Sequence, residues 1–525
     1  MPDRTFEPPR VWPSDKGSDW FVVEGAIEPT KQLLGGSPGY RERRGRIEIH
    51  RSQFPVVGLD ADRLLTHQVR DPSRAARDRR LGVALYPHQH VGVDFCDRRR
   101  GILVADEPRT GKTLQALASH DPARGPLAIV CPLHVRSVWL GWLAKVFPGI
   151  EPSIVTGATF RAEALRRPLV VAHYDILRHH KDLGAHFGTL ILDEAHALSR
   201  FRSERTRAVA LWASLSDQVL ALTGTPLWNE VAALWSLLSL VVPGAFGSVR
   251  DFGMRYGDPE LTAWGWRFEG SSNREELKER LAEVMLYRRL ADVAPTLPQI
   301  TQEAILVPIS PDMALEIDLA AEAMRTGVTN TIGGMARTRH AVAAVKVPAA
   351  VDLAMADLDR GEPIVIWTWH RDTAQAIAKK LGKKHPAFVV TGDDSIAKRD
   401  AALNAWRAVP GALCITITVG NSGIDLSHAR LACFAEFDFT PALVGQASYR
   451  TYHASRPMHV RYLVADHPIE QRIVDVLLKK VGHSQAVGVP ASEAAIDTLS
   501  KAFLGGGQDG EGDLDRLLLD ILAGC

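Results

Sequence analysis

The tetrapeptide Thr110-Gly111-Lys112-Thr113 follows an apolar run, Gly101-Ile102-Leu103-Val104-Ala105, and precedes a helix-forming stretch, Leu114-Gln115-Ala116-Leu117. A strand, a glycine-bearing turn and a helix start, in that order, make a phosphate cradle. Backbone amides and the helix N-terminus face the anion, Lys112 reaches the β and γ oxygens, and the Thr113 hydroxyl ligates Mg2+. The glycine that opens the general form of this motif is absent, and Asp106 stands in its place.

Phosphoryl transfer also needs a metal-holding carboxylate and a base for the attacking water. Asp193-Glu194 closes a second apolar run, Thr189-Leu190-Ile191-Leu192, which brings both carboxylates to the edge of a sheet. Asp193 is suited to hold Mg2+ through water and Glu194 to orient and deprotonate the nucleophile. His196 is a coupling residue by position, linking this pair to Thr223 and Thr225 in Leu222-Thr223-Gly224-Thr225-Pro226. Upstream, Leu85-Tyr86-Pro87-His88-Gln89 places a glutamine whose amide can read both edges of adenine. The chemistry expected of the set is ATP hydrolysis with Mg2+.

The elements that must hold these groups are legible as rhythm. From Leu85 to Val242, short apolar runs at 127–131, 169–172, 189–192 and 219–222 alternate with helical stretches, the pattern of a parallel, doubly wound sheet. The last three runs each end at a polar motif, at the carboxyl edge where such sheets bind ligands. Residues 236–345 lose the rhythm and read mostly helical, as in Arg274 to Arg289 and Pro311 to Arg325. It returns at 363–368, 388–391, 413–417 and 431–435, a second parallel sheet.

The expected organisation is therefore α/β: residues 1–80 an accessory region, 81–235 a first lobe, 236–345 a helical protrusion or linker, 346–480 a second lobe, and 481–525 a linker with a C-terminal helix. The accessory region contains strand-like Trp20-Phe21-Val22-Val23 and Arg46-Ile47-Glu48-Ile49. Protein partners, if any, would meet that region or the leucine-rich stretch from Asp513 to Leu522.

With 525 residues, the chain has room for roughly three or four domains of ~150 residues. A net charge of +1, 46% hydrophobic and 23% charged residues fit a globular protein and exclude a disordered or membrane-spanning class. No basic region followed by an apolar stretch opens the chain, so a cytoplasmic location is expected. Cys96, Cys131, Cys414, Cys433 and Cys525 form no ligand spacing, and reduced thiols are expected. Balanced net charge does not argue against nucleic acid, because a translocase needs only a local track beneath the phosphates.

Across Leu85 to Lys480 the sequence resembles the Swi/Snf-type branch of superfamily-2 helicases. Val130-Cys131-Pro132-Leu133 with Trp139 is similar to that family's motif Ia, and Ala172-His173-Tyr174-Asp175-Ile176-Leu177 to its next DNA-side block. Thr223 to Asn229, running into Leu234-Trp235-Ser236-Leu237-Leu238, is close to the family wording. Trp367-Thr368-Trp369-His370-Arg371 resembles motif IV, and Val419-Gly420-Asn421-Ser422-Gly423-Ile424-Asp425-Leu426 resembles motif V. Phe252 to Tyr256, Trp264-Gly265-Trp266, Gly270 to Asn273 and Val284 to Leu290 are similar to the annealing-helicase (HARP-like) subgroup, in a compact bacterial or phage form.

The resemblance implies two RecA-like lobes and a DNA-dependent ATPase that moves on duplex or forked DNA and rewinds strands in replication, recombination or repair. It implies DNA contact for Pro132, His134, Tyr174, Trp369, His370, Asn421 and Ser422, and nucleotide contact for Gly423, Asp425, Arg450 and His453. A glycine-bearing loop at a sheet edge also lets backbone amides approach a phosphate strand. The family's last motif has two phosphate-facing arginines. Here Gln446-Ala447-Ser448-Tyr449-Arg450 keeps the first, and the second position is His453, which offers no bidentate guanidinium. Either Arg450 suffices, or Arg456 substitutes from the same helical face, or ATP is bound and hydrolysed slowly; retained activity is the reading taken. The rivals are an ATP-gated DNA-binding scaffold, an RNA helicase, and the motor subunit of a restriction complex.

Overall fold

A computed structural model describes residues 77–78, 80–157, 162–180, 185–224, 231–262, 265–268, 272–293, 298, 300–325, 331–420, 424–437, 441–453 and 456–470, with four strands before residue 51. The chain divides into two compact units, the first ending at Pro295 and the second beginning at Thr296. The expected C-terminal linker and helix, and the loop residues Thr225, Asn421, Ser422 and Gly423, lie outside the described residues.

In the first unit, β1 (Arg10–Pro13), β2 (Trp20–Glu24), β3 (Tyr40–Arg43) and β4 (Arg46–His50) form an antiparallel sheet in the order β1-β2-β4-β3. The main sheet follows: β5 (Gly101–Val104), β6 (Leu127–Cys131), β7 (Ser153–Ile154), β8 (Leu169–His173), β9 (Phe187–Asp193) and β10 (Ser216–Leu222). After a hairpin of β11 (Pro259–Thr262) and β12 (Gly265–Phe268), β13 (Met285–Leu286) returns to that sheet. Its order is β13-β5-β10-β9-β6-β8-β7, all parallel.

Alternation along the strands splits the core into two faces. Leu103, Ala128, Val130, Leu190 and Leu192 pack on one side with Trp212 and Leu237. Ile102, Val104, Ile129, Ile191 and Leu220 pack on the other with Phe95, Leu117 and Trp139. Helices cover both faces, so the strands read as continuous apolar runs, and the backbone groups that cannot pair with water pair along the sheet.

In the second unit, β14 (Ile300–Val307), β15 (Ile364–Thr368), β16 (Ala387–Val390), β17 (Ala412–Thr416), β18 (Leu431–Phe434) and β19 (Met458–Ala465) form a parallel sheet in the order β14-β19-β18-β15-β17-β16. One face buries Ile364, Ile366, Cys414 and Leu463 against the helices Thr331–Leu358 and Arg371–Leu381. On the other, Trp367, Phe434 and Tyr462 stack across adjacent strands, with centroids 5.8 and 5.0 Å apart.

The segment 236–345 is mostly helical, with Pro311–Arg325 a helix as expected, but strands interrupt it. Helix Arg274–Ala282 stops well short of Arg289, and Met285–Leu286 pairs with Leu103–Val104. Farther on, β14 runs along the whole of β19. The segment thus supplies a strand to each sheet. Periodicity misses a two-residue strand, because so short a run has no period.

Candidate functional site

The first sheet's order explains why distant motifs meet. β5 leads into the Lys112 turn, β10 into Thr223, and β9 into Asp193, and these three strands are neighbours. Leu222 sits in register with both Val104 and Asp193, and Thr223 N donates to Val104 O at 3.0 Å.

The turn carries its strain at two places. Gly111 has φ +81°, and a Cβ there would come within 1.9 Å of Gln89 Nε2. Arg109 also lies at positive φ, +71°. A side chain at Gly111 would thus meet both backbone strain and a collision. Lys112 starts the helix Lys112–Ser119 and turns its ammonium back onto the turn, donating to the carbonyls of Asp106 at 2.5 Å and Glu107 at 3.0 Å. Burial lowers the Lys112 pKa, and Asp106, Glu194, Asp193 and Glu107 oppose the shift. The donor set suits a nucleotide phosphate with Mg2+: an ammonium in a glycine turn, and in the Thr113 hydroxyl and the Asp193 carboxylate the hard oxygens that such an ion would take.

Asp193 is fixed on every side. Its Oδ2 accepts from Trp139 Nε1 at 2.7 Å, its Oδ1 from Glu194 N at 3.0 Å, and its backbone carbonyl from the Tyr174 hydroxyl at 2.6 Å. Burial and the neighbouring Glu194 push its pKa up to about 6, against the hydrogen bonds and Lys112. Glu194 takes a left-handed backbone, φ +48°, rare for a side chain of its size and a form of strain that gathers at functional sites. His196 Nδ1 lies 3.3 Å from Thr223 Oγ1 and 3.4 Å from Glu194 Oε2, so it does join the acid pair to the strand-end threonine. Burial drops the His196 pKa to about 4, which leaves a neutral ring.

Two expectations change, those for Tyr174 and Arg456. Gln89, expected to read adenine, is held against the phosphate turn: Oε1 accepts from Tyr86 N at 2.9 Å, capping its own helix, and Nε2 donates to Thr110 O at 3.3 Å. Tyr174, expected on the DNA side, is 2% exposed with its hydroxyl turned inward to Asp193, and burial holds that hydroxyl protonated. Arg456 does not share a helical face with Arg450. The helix Pro441–Arg450 ends there, His453 and Arg456 form an isolated antiparallel bridge, and Arg456 donates to Ser427 O at 2.9 Å.

Sequence reasoning missed Arg288. Both it and Asp106 are 0% exposed. Its Nη2 reaches Asp106 Oδ2 at 2.5 Å and Gln115 Oε1 at 2.7 Å, its Nε reaches Asp106 Oδ1 at 3.1 Å, and Nη1 donates to the His88 carbonyl. Main-chain bonds continue the strand pairing beside it: Leu103 N to Val284 O, Ala105 N to Leu286 O, Glu107 N to Arg288 O. Asp106 thus replaces the customary glycine because the position holds a buried ion pair and no left-handed turn. A Cβ on Gly92 would come within 1.8 Å of Gln115 Oε1, so a glycine clears the way for this cluster.

In the second unit, Trp369 and His370 leave β15 under the control of Glu436, which accepts from both backbone amides at 3.1 Å and lies 2.6 Å from His370 Nδ1. The guanidinium of Arg339 lies 4.6 Å from the Trp369 ring centre. The Arg450 carbonyl accepts from Leu426 N at 3.0 Å, tying the end of its helix to the segment that contains Asp425, whose own carbonyl accepts from Arg407 at 2.9 Å. In the first unit, Pro132 is half-buried and His134 exposed, in the turn after β6. Among the described residues no helix is long and apolar enough to cross a membrane.

Residues 67–315 match the SNF2-related domain, and residues 346–455 match the helicase conserved C-terminal domain. The SWI/SNF-related matrix-associated actin-dependent regulator of chromatin subfamily A-like protein 1 of Xenopus tropicalis is 29% identical over 458 residues, 83% of this chain and 47% of that protein. The human DNA annealing helicase and endonuclease ZRANB3 is 24% identical, over 76% of this chain and 40% of its own length. The chain spans about half the length of the curated relatives it matches. The Sulfolobus solfataricus SWI2/SNF2 ATPase core in complex with dsDNA is 21% identical, covering 80% of this chain and 97% of that one, and superposes loosely, with a TM-score of 0.39.

Proposed function

Since the chain belongs to the Swi/Snf-type branch of superfamily-2 helicases, we propose that it is a DNA-stimulated ATPase that translocates on duplex or forked DNA, with strand annealing or fork remodelling as its output. The observation that carries the reading is the convergence of Lys112, Asp193, Glu194, His196 and Thr223 on adjacent strand ends of one sheet. Annealing is suggested by the relatives' printed function and by the subgroup blocks between Phe252 and Leu290.

In this reading Lys112 holds the β and γ phosphate oxygens, Thr113 and Asp193 hold Mg2+, and Glu194 takes a proton from the attacking water. Mg2+ held there would supply countercharge to the nucleotide phosphates. Arg450 is the guanidinium this reading offers to steady charge on the transferred phosphoryl group, with Asp425 and Gly423 as further nucleotide contacts. His196 passes the state of Glu194 to Thr223. Pro132 and His134 in the first unit, and Trp369, His370, Asn421 and Ser422 in the second, grip DNA.

The test is steady-state ATPase with duplex, forked and single-stranded DNA, with Lys112→Ala as blank. DNA-stimulated turnover that vanishes in the blank supports the motor. Nucleotide binding without turnover on any DNA would leave the ATP-gated scaffold, which the placement of His453 beyond the end of its helix favours as the second reading.

A further inference from the structure

Two side chains that start outside the nucleotide edge end on Asp193. Trp139, on the helix Arg136–Val146, is 1% exposed and donates its indole N–H to the carboxylate. Tyr174, which opens the helix Tyr174–Leu177, donates its hydroxyl to the backbone carbonyl. A buried indole N–H or phenol O–H must find an acceptor, and any nearby main-chain carbonyl would serve. Here both find the same residue.

Their segments leave the sheet side by side, because Cys131 and His173 are register partners at the ends of β6 and β8. The first segment turns Leu133 and Val138 outward, each 47% exposed, and carries Pro132 and His134 between its buried anchors. The second exposes Asp175, which Arg205 grips from the helix Glu204–Ser214. One residue proposed to hold Mg2+ is thus hydrogen-bonded to two surface segments, one of them proposed to hold DNA.

We propose that Trp139 and Tyr174 are positioning residues that couple the DNA-gripping segment after β6, and the segment after β8 beside it, to the metal carboxylate, so that duplex and Mg2+-nucleotide each tighten the other's binding. The proposal rests on the ATPase reading above. A carboxylate that accepts from an indole at one oxygen and a main-chain amide at the other has its plane fixed. With its carbonyl also held, it cannot keep its pose when either segment shifts. Coupling of this kind is reciprocal by linkage.

Equilibrium binding tests it without turnover. The affinity of the full chain for a fluorescein-labelled DNA duplex is measured with and without Mg2+ and the non-hydrolysable analogue AMP-PNP, for wild type, Tyr174→Phe and Trp139→Phe. Wild type is expected to show a coupling factor of roughly 5–150-fold. Each variant, which removes one hydrogen bond and keeps a ring in place, is expected to cut that factor by about 2–10-fold while duplex affinity without nucleotide stays within about twofold. Tyr174→Phe loses a single oxygen, so its fold is secure enough to decide the matter alone. Variants that retain the wild-type factor, or that weaken duplex binding equally with and without nucleotide, overturn the coupling role and leave the ATPase reading intact. A wild type that binds both ligands with no coupling overturns this proposal together with the motor.

Discussion

The two parallel sheets hold their charged groups by different mixes of partners. At the first sheet's carboxyl edge charge is answered by charge: Arg288 against Asp106 out of reach of water, and Lys112 amid four carboxylates. Around the second sheet, main-chain anchors share this work with a buried ion pair: Lys346 meets Glu470 beyond the end of β19, Glu436 takes the amides of Trp369 and His370, and Arg456 and Arg407 donate to the Ser427 and Asp425 carbonyls ahead of β18. Buried ion pairs are intolerant, because removing one partner strands the other without solvent. Main-chain anchors survive a change of side chain. The buried pairs are therefore the fixed parts of both units, and the stretch around His453 and Arg456, tied by main-chain bonds, is where a substitution is tolerated best.

The largest effect expected from this contrast lies in chemistry. Arg450→Ala should lower DNA-stimulated turnover by about 10³–10⁵-fold, as loss of an arginine finger does, while nucleotide binding by fluorescence titration stays near wild type. Near-normal turnover would mean that the second edge supplies no guanidinium.

The next effect is on stability. Arg288→Met should cost about 3–5 kcal/mol in urea unfolding by stranding the Asp106 carboxylate, and adding Asp106→Leu should recover most of it. Equal losses in the single and double variants would show that shape matters here and charge does not.

Acid should also act on the first unit. Burial holds His120 at about pKa 4, with its Nδ1 3.1 Å from Thr189 Oγ1. The unfolded chain binds this proton from about pH 6.5 downward and the folded chain only near 4, so stability falls as pH drops through that window, by up to about 3 kcal/mol. His120→Gln should flatten urea midpoints between pH 6.5 and 4. An unchanged slope would assign the acid sensitivity elsewhere.

The smallest effect is expected in the stretch of the second unit tied by main-chain bonds. His453→Arg should change turnover by less than about tenfold, under about 1.4 kcal/mol of barrier. A much larger gain would identify the histidine as a brake on the motor.

Much of this was legible in the chain. The strands announced themselves because both faces of each sheet are covered, and the Lys112 turn and Asp193-Glu194 pair because their flanks gave them context. Arg288 was not legible, for its partner Asp106 lies 182 residues away and no local pattern links them. Tyr174 was placed at the correct strand end, but residue order says nothing of which way a ring turns. Gln89 was read by its neighbours, and no spacing announced that its third place in a helix also lets it cap that helix. Arg456 was read by helical spacing across a helix that had already ended.

The long reach of that one ion pair also orders the birth of the protein. A ribosome that has emitted the Lys112 turn must add about 180 more residues before Arg288 emerges, which takes roughly 10–40 s at 5–20 residues per second. Until then the nascent nucleotide pocket holds an aspartate with no countercharge, and a chain cut before residue 288 would keep every signature of the motif and lack the brace that finishes it.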